Sequence, residues 1–325
     1  MSLSAVRVSA AERPLLVAST GGHLEELHLW ARRWDLLGGS ATWVTFDNEQ
    51  SRTLLARERV HFVPYVAPRD VRGTIATTRS LTTLIDRYDP QTLVSTGSAV
   101  GVSMALAGRA ARRRTVYIES LARVDGISTT GRIVSRIPAV ERYVQNEQLQ
   151  HRNYQYRGSI LDSYERGPAR ETSRSLRRVL VTVGTIRPYG FDRAIRRLDQ
   201  LLKGFDVTWQ IGETKFQPEH GRISRLLERD RLLDEVHLAD VVIAHAGVGS
   251  ILVALADGKV PIVLPRLARY GEHVDDHQLD IARLLDDRRL VHLSSPETLT
   301  LDDLALVSRQ SIIIHPDGVG AATHA

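Results

Sequence analysis

Twice along the chain, short apolar runs rich in β-branched residues alternate with helix-patterned segments, and that rhythm limits the fold more than any other feature. In the first half the runs are LLVAST (15–20), TWVTF (42–46), VHFVPY (60–65), TLVSTG (92–97), TVYIES (115–120) and ERYVQN (141–146). In the second they are RVLVTVG (178–184), VTWQIG (207–212), VVIAHAG (241–247), PIVLPR (261–266) and LVHLS (290–294). Continuous apolar strands separated by crossover helices suit a parallel sheet covered on both faces. The stretch 147–175 between the two sets is polar and reads as a connection with little core of its own. The expected fold class is therefore α/β, with two doubly wound, Rossmann-like parallel-sheet domains at 1–160 and 177–325, a linker at 161–176, and loose ends near 1–12 and 316–325.

Composition narrows the setting. The 325 residues are 42% apolar, enough for two cores, and contain no cysteine, which excludes disulfides and thiolate metal sites and fits a reducing cytoplasm. Residues 1–14 lack the apolar core of a signal peptide, and no window has the length and apolarity of a membrane span. The net charge of +5 is uneven. Residues 1–170 carry 23 arginines, no lysine and 16 acids, a balance of +7, and the remainder carries −2. Arginine forks suit phosphate, so a phosphate-bearing acceptor or an anionic membrane surface is an expected partner of the first half. No recognition-helix or RNA-binding signature accompanies the charge, so nucleic acid is not expected.

In an open parallel sheet, ligands bind beyond the carboxyl ends of the strands, where a loop enters a helix. Four glycine-rich turns fall there: STGGHLEEL (19–27), STGSAVG (95–101), TVGTIRPYGFD (182–192) and HAGVGS (245–250). In the last, Gly247 and Gly249 let backbone amides approach an anion, and Ser250 adds a hydroxyl. A nicotinamide enzyme is the ordinary rival, with Asp47 after the second strand as its ribose acid. However, Gly21 and Gly22 are adjacent, and Glu25 and Glu26 stand where a G-x-G-x-x-G turn needs glycine.

The segment HAGVGSILVALADGKVPIVLPR followed by GEHVDDHQLDIA (245–282) resembles the donor-binding domain of inverting GT-B glycosyltransferases. VLVTVGTIRPYGFDRAIRRLD (179–199) is similar to the opening of the catalytic subunit of the eukaryotic transferase that adds the second GlcNAc to dolichol pyrophosphate-GlcNAc. STGGHLEEL, ESLARVDGISTTGRI (119–133) and VQNEQLQHRNYQYRG (144–158) resemble its membrane-anchoring partner. The chain thus looks like a fusion of the two subunits. GEHVDDHQ (271–278) is similar to bacterial exopolysaccharide relatives that use UDP-glucuronate or UDP-galactose.

The resemblance implies two domains facing across a cleft, a UDP-sugar donor, a lipid-pyrophosphate saccharide acceptor, no cofactor and no metal. It places the donor diphosphate on His245, Gly247, Gly249 and Ser250. Gly184 and Thr185 would lie near the phosphates and Gln210 and Gly212 near the nucleotide. Gln278 and its polar neighbours His273 and Asp276 would lie near the sugar. Where the family has a ribose-binding Glu this chain has Val253, which makes Glu272 a candidate substitute; the family's "GKP" is here Gly258 to Pro261 with an extra residue. Asp275, Asp276 and His277 are contiguous, a spacing that does not suggest metal ligation.

Direct displacement needs a base for the acceptor hydroxyl and donors for departing UDP. By fold analogy His23 is the first candidate base and Glu119 the second, with Glu119 pairing to Arg123 as its alternative role. Gly21, Gly22, Thr96, Gly97, Ser98 and Arg123 are the candidate acceptor-binding residues. Trp30, Trp34, Arg32 and Arg33 suit either first-helix packing or peripheral contact with the inner face of the plasma membrane. The residues leave open the donor sugar, the linkage and the oligomeric state. They also leave open a nonhydrolysing UDP-sugar epimerase or a noncatalytic nucleotide-sugar-binding subunit.

Overall fold

The computed structural model describes residues 6–67, 70–170, 176–184 and 188–315. Contacts divide the chain into two units, 1–161 and 162–325. The first contains β1 (Leu15–Val17), α1 (Gly22–Arg33), β2 (Thr42–Phe46), α2 (Glu49–Leu54), β3 (Arg59–Val63), α3 (Val71–Tyr88), β4 (Thr92–Ser95), α4 (Ala99–Ala110), β5 (Arg114–Ile118), α5 (Thr129–Val134), β6 (Glu141–Val144) and β7 (Gln155–Tyr156). The strands form one parallel sheet in the order β3-β2-β1-β4-β5-β6-β7. The central strands are apolar on both faces. On one side Leu15, Val17, Val44, Phe46 and Leu93 pack with Leu81, Ile85, Val100 and Met104 from the helices. Asp70 starts α3 by accepting the Gly73 amide, and Ser128 starts α5 by accepting that of Gly131.

The second unit contains β8 (Tyr164–Arg166), β9 (Arg178–Thr182), α6 (Asp192–Leu201), β10 (Asp206–Gln210), β11 (Arg222–Ser224), α7 (Arg229–Leu238), β12 (Val241–His245), α8 (Val248–Ala256), β13 (Ile262–Leu264), α9 (His277–Asp287), β14 (His292–Leu293), α10 (Leu301–Ser308) and β15 (Ile312–Ile314). Its parallel sheet runs β11-β10-β9-β12-β13-β14. Both orders reverse direction after the first strand of the unit, so each has a switch-point crevice: between β1 and β4, and between β9 and β12. The four glycine-rich turns begin at or just after the ends of β1, β4, β9 and β12, the strands that flank those crevices.

The expected runs correspond to strands, but most of the strands stop about two residues early. The trailing residues (Ser19-Thr20, Thr96-Gly97, Glu119-Ser120, Gln145-Asn146) belong to the carboxyl-edge loops, which is where their chemistry is needed. The linker expectation is corrected in part. Tyr164–Arg166 pairs antiparallel with Ile312–Ile314, so this polar-looking segment is ordered by a partner about 150 positions away, and Ile160 and Leu161 just before it are buried. Among the described residues no helix is long and apolar enough to cross a membrane.

Candidate functional site

In the first unit the carboxyl edge is organised around His23, in the first turn of α1. Its Nδ1 lies 2.9 Å from the carbonyl oxygen of Thr96, and the Thr96 hydroxyl donates to the His23 carbonyl at 2.7 Å. A carbonyl can only accept, so the proton sits on Nδ1 and Nε2 carries the free lone pair. Nε2 makes no hydrogen bond among the described residues. Burial, and secondarily the Arg123 charge, hold the imidazole below its ordinary pKa, against the Thr96 bond that raises it. The ring rests on Gly97, where a Cβ would stand 3.0 Å from its Cε1; Gly97 has φ +122°. Next to it Ser98 has φ +64° and ψ 179°, a conformation that costs a non-glycine residue about 1–3 kcal/mol, and its hydroxyl caps nothing in α4.

Several sequence assignments change here. Thr96 is buried with both its carbonyl and its hydroxyl spent on His23, so it positions the base and does not face an acceptor. Glu119 is also buried. It accepts from Tyr117 Oη (3.2 Å), the Ser120 amide (3.2 Å), the Ser128 amide (3.1 Å) and Ser128 Oγ (3.0 Å), which fastens α5 to the strand end and leaves no lone pair turned outward. It makes no ion pair with Arg123 among the described residues. Gly21, at φ +87°, is held by Gln50, whose Oε1 accepts the Gly21 amide at 2.7 Å; Gly22 opens α1. Asp47 is taken by a two-pronged pair with Arg52 (2.6 and 2.8 Å), which removes the ribose acid of the nicotinamide reading.

Sequence reasoning missed Glu26, one turn beyond His23. It is buried and accepts from Ser120 Oγ (2.8 Å), the Leu121 amide (2.9 Å) and Gln145 Nε2 (2.9 Å). Gln145 Oε1 in turn accepts the Ile160 amide at 3.1 Å, so one carboxyl ties α1 to the ends of β5 and β6 and to the chain leaving the unit. Burial pushes the Glu26 pKa up from 4.5 to about 7, aided by the Glu119 charge and opposed by the three hydrogen bonds. A carboxyl with a raised folded pKa binds more protons folded than unfolded. Its contribution is thus fully present below about pH 4.5 and is lost as pH rises through about 7. Glu26→Gln keeps the shape and the network, with its amide nitrogen donating to Ser120 Oγ. It should flatten urea-derived stability across that window by up to about 3 kcal/mol, measured as midpoint against pH. An unchanged slope would mean Glu26 is ionised throughout.

In the second unit HAGVGS bends from β12 into α8. Gly247 is the N-cap of α8 and has no side chain to cap it, and among the described residues no side chain accepts from the first-turn amides. The Ser250 hydroxyl and the amides around Gly249 lie in that first turn, where the dipole favours an anion. The glycines have a second purpose. The His245 ring is clamped between Gly184 and Gly247: a Cβ on either would stand 2.5 Å from its Cε1. His245 is buried, its Nδ1 meets no hydrogen-bonding geometry among the described residues, and its pKa is pushed down to about 3, first by burial and then by the Arg266 charge, against the Thr182 backbone that raises it. It is a neutral wedge that shapes the turn.

Other donor candidates are engaged internally. Gln210 Nε2 donates to Thr182 Oγ1 (2.8 Å) and its Oε1 accepts the Leu227 amide (2.9 Å). Gly212 exchanges its amide and carbonyl with Arg225. Both are struts inside the unit. Glu272 is buried and gripped by Arg193 at 2.9 Å through each oxygen, with Glu297 as the second anchor of Arg193, so it is not free for a ribose. Val253 lies in the apolar core with Leu180 and Val242. Thr185 lies outside the described residues. Gln278 turns its Oε1 to the Arg266 amide (3.0 Å), while its Nε2 makes no hydrogen bond among the described residues. Asp276 accepts the Ala268 amide at 2.7 Å. His273 stacks on Tyr189 and meets His277 edge-on. Contrary to the contiguous reading, it is His273, Asp275 and His277 that converge, with possible ligand atoms within 4.8 Å, and His277 Nδ1 bonds the Asp275 carboxylate.

Two doubly wound units in one chain, each with its crevice at a switch point, are the GT-B fold. Residues 178–304 match the family model of the glycosyltransferase family 28 C-terminal domain. Over 127 residues the chain is 31% identical to the UDP-N-acetylglucosamine transferase subunit ALG13 of Yarrowia lipolytica, an alignment covering 34% of this chain and 61% of that relative's length. Among solved structures it superposes on Acinetobacter baumannii MurG with TM-score 0.58 and 17% identity, covering 91% of each chain. The glycosyltransferase SnogD of Streptomyces nogalater gives TM-score 0.55 and 18% identity, covering 91% of this chain and 89% of that one.

Proposed function

We propose that the protein is an inverting, metal-independent glycosyltransferase that moves a sugar from a UDP-sugar to a lipid-pyrophosphate-linked saccharide in bacterial exopolysaccharide or glycan synthesis, at the cytoplasmic leaflet. The observation that carries this reading is the pair of opposite chemistries at two like edges. One has a neutral imidazole with its lone pair free, and the other an open helix start for a diphosphate. His23 Nε2 takes the proton of the acceptor hydroxyl, whose oxygen attacks the anomeric carbon as its bond to UDP breaks. The α8 amides and Ser250 receive the charge of the departing diphosphate. UDP-glucuronate, UDP-GlcNAc and UDP-galactose are the donors to test.

The deciding assay incubates purified protein with each donor, with and without a lipid-pyrophosphate saccharide, in buffer with and without EDTA. Acceptor-dependent UDP release that survives EDTA is the expected result. Conversion of the donor alone, seen by NMR, would instead indicate an epimerase, and UDP binding without turnover a noncatalytic subunit. Turnover lost to EDTA and restored by a divalent cation would assign His273, Asp275 and His277 as a cation site.

The membrane-facing surface needs reassignment. Trp30 is buried, and Trp34 stacks on it at 5.3 Å and donates to the Val6 carbonyl, while Arg33 lies over Trp30 and bonds the Ser159 carbonyl. The helix end carrying Arg32 and Arg33 also points to the sheet edge opposite His23. Tyr65, Val71 and Ile75 are 70%, 68% and 47% exposed, at the His23 edge beside Arg72 and Arg79, a combination that suits anionic headgroups. Changing all three to serine should cut binding to phosphatidylglycerol vesicles several-fold and slow transfer to an embedded acceptor, while a short soluble acceptor reacts normally. Equal losses on both acceptors would remove this surface from membrane contact.

A further inference from the structure

Arg266, two residues past β13 at the carboxyl edge of the second sheet, is fully buried yet makes no ion pair among the described residues. Its Nη1 donates to the Tyr189 carbonyl at 3.1 Å and its Nη2 to the Val183 carbonyl; Nε is buried without a partner among the described residues. The guanidinium lies 5.5 Å from the centre of the Phe191 ring. Glu272 is the carboxylate whose charge it feels, but both Glu272 oxygens are held by Arg193. Burial lowers the Arg266 pKa to about 10, which still leaves it charged at neutral pH. A buried charge with no directly paired carboxylate is costly to maintain, and an apolar side chain would fill the same space.

Its location gives the charge a use. Val183 and Tyr189 flank the connection from β9 to α6, which begins at the β9/β12 switch point, so one guanidinium pins both ends of the loop that borders the proposed diphosphate position. His245, at the end of β12, feels the Arg266 charge and is neutral. We propose that Arg266 is a positioning residue for the donor diphosphate: it fixes the flanks of the β9–α6 loop, and its charge beneath that edge, which no described carboxylate pairs directly, is balanced further when the diphosphate binds. This inference rests on the UDP-sugar reading and assigns the diphosphate, not the nucleoside, to Arg266.

Calorimetric titration with UDP and with uridine separates the two ligands. In Arg266→Met, UDP affinity should fall roughly tenfold while uridine affinity stays within about twofold. Arg266→Lys retains a charge but cannot fork between two carbonyls, so it should keep most of the preference for UDP over uridine. Equal loss for both ligands in a folded variant, or no loss, would overturn the proposal in favour of a structural strut. If Arg266→Met does not fold, loss of the UDP preference in folded Arg266→Lys does the same. On the unaltered protein, UDP but not uridine should slow amide exchange in the segment 188–191, and identical protection by both ligands counts against the charge. An unaltered protein that binds neither ligand would refute the nucleotide reading itself, whereas unaltered protein that binds both, with the preference intact in Arg266→Met, refutes only this inference.

Discussion

His23→Ala should lower turnover by roughly 10²–10⁴-fold, the usual scale for loss of a general base, and leave UDP affinity nearly unchanged. The donor-binding candidates all belong to the second unit, so a fall in UDP affinity as large as the fall in turnover would mean that the variant had lost more than a base. The pH profile carries independent information. Burial and the Arg123 charge hold His23 below its ordinary value, so the acid limb of kcat/KM should lie below pH 6.5 and vanish in the alanine variant. The supporting bond can be tested as well. Thr96→Val keeps the carbonyl that fixes the Nδ1 proton but removes the hydroxyl that holds the His23 backbone, so its loss should be much smaller than that of His23→Ala. Near-normal turnover in His23→Ala would remove the base assignment, and Glu119 would not be its replacement, because its lone pairs are already committed to Tyr117, Ser120 and Ser128.

The sequence shows the strands well because buried parallel strands must be apolar on both faces. Thr42–Phe46 and Val241–His245 are buried at every position, and apart from His245 at a strand end their apolar or β-branched character is continuous. Strands whose stability comes from a distant partner leave no such trace: Tyr164–Arg166 is charged at two of its three positions and is ordered by Ile312–Ile314. The site divides in the same way. The glycine-rich turns mark the right edges, since only the strand rhythm is needed to find them. What each polar side chain does there depends on neighbours far away in sequence. Gln210 reads as a nucleotide contact and Glu119 as the second candidate base, and both are engaged as internal struts, while Glu26 reads as an ordinary helix acid and is buried in a network with Ser120 and Gln145. Arg266 follows a proline at the end of the expected strand run PIVLPR, where an arginine is ordinarily solvated. Its place after a strand on the binding edge is the one signal that could have singled it out.

Gly247→Ala should be the most damaging small change in the second unit. The backbone is not the obstacle, because Gly247 has φ −85° and ψ 124°, which alanine adopts freely. The obstacle is the His245 ring. The new methyl would fall inside contact distance of Nε2 and 2.5 Å from Cε1, and retreat is restricted because Gly184 backs the same ring edge, so closely that a Cβ there would also stand 2.5 Å from Cε1. Either the imidazole is forced from its pocket or α8 moves away from β12, and both displace the amides proposed to receive the diphosphate. A loss of about 1–3 kcal/mol in stability, the usual cost of overpacking, should accompany a fall in UDP affinity on the order of 100-fold. The double variant Gly247→Ala/His245→Ala isolates the cause. With the ring gone, the methyl has room, so stability and UDP affinity should both recover relative to the single change, a coupling that contacting residues show and independent ones do not. If the double variant binds UDP no better than Gly247→Ala, the glycine serves direct approach of the phosphate and not the accommodation of His245.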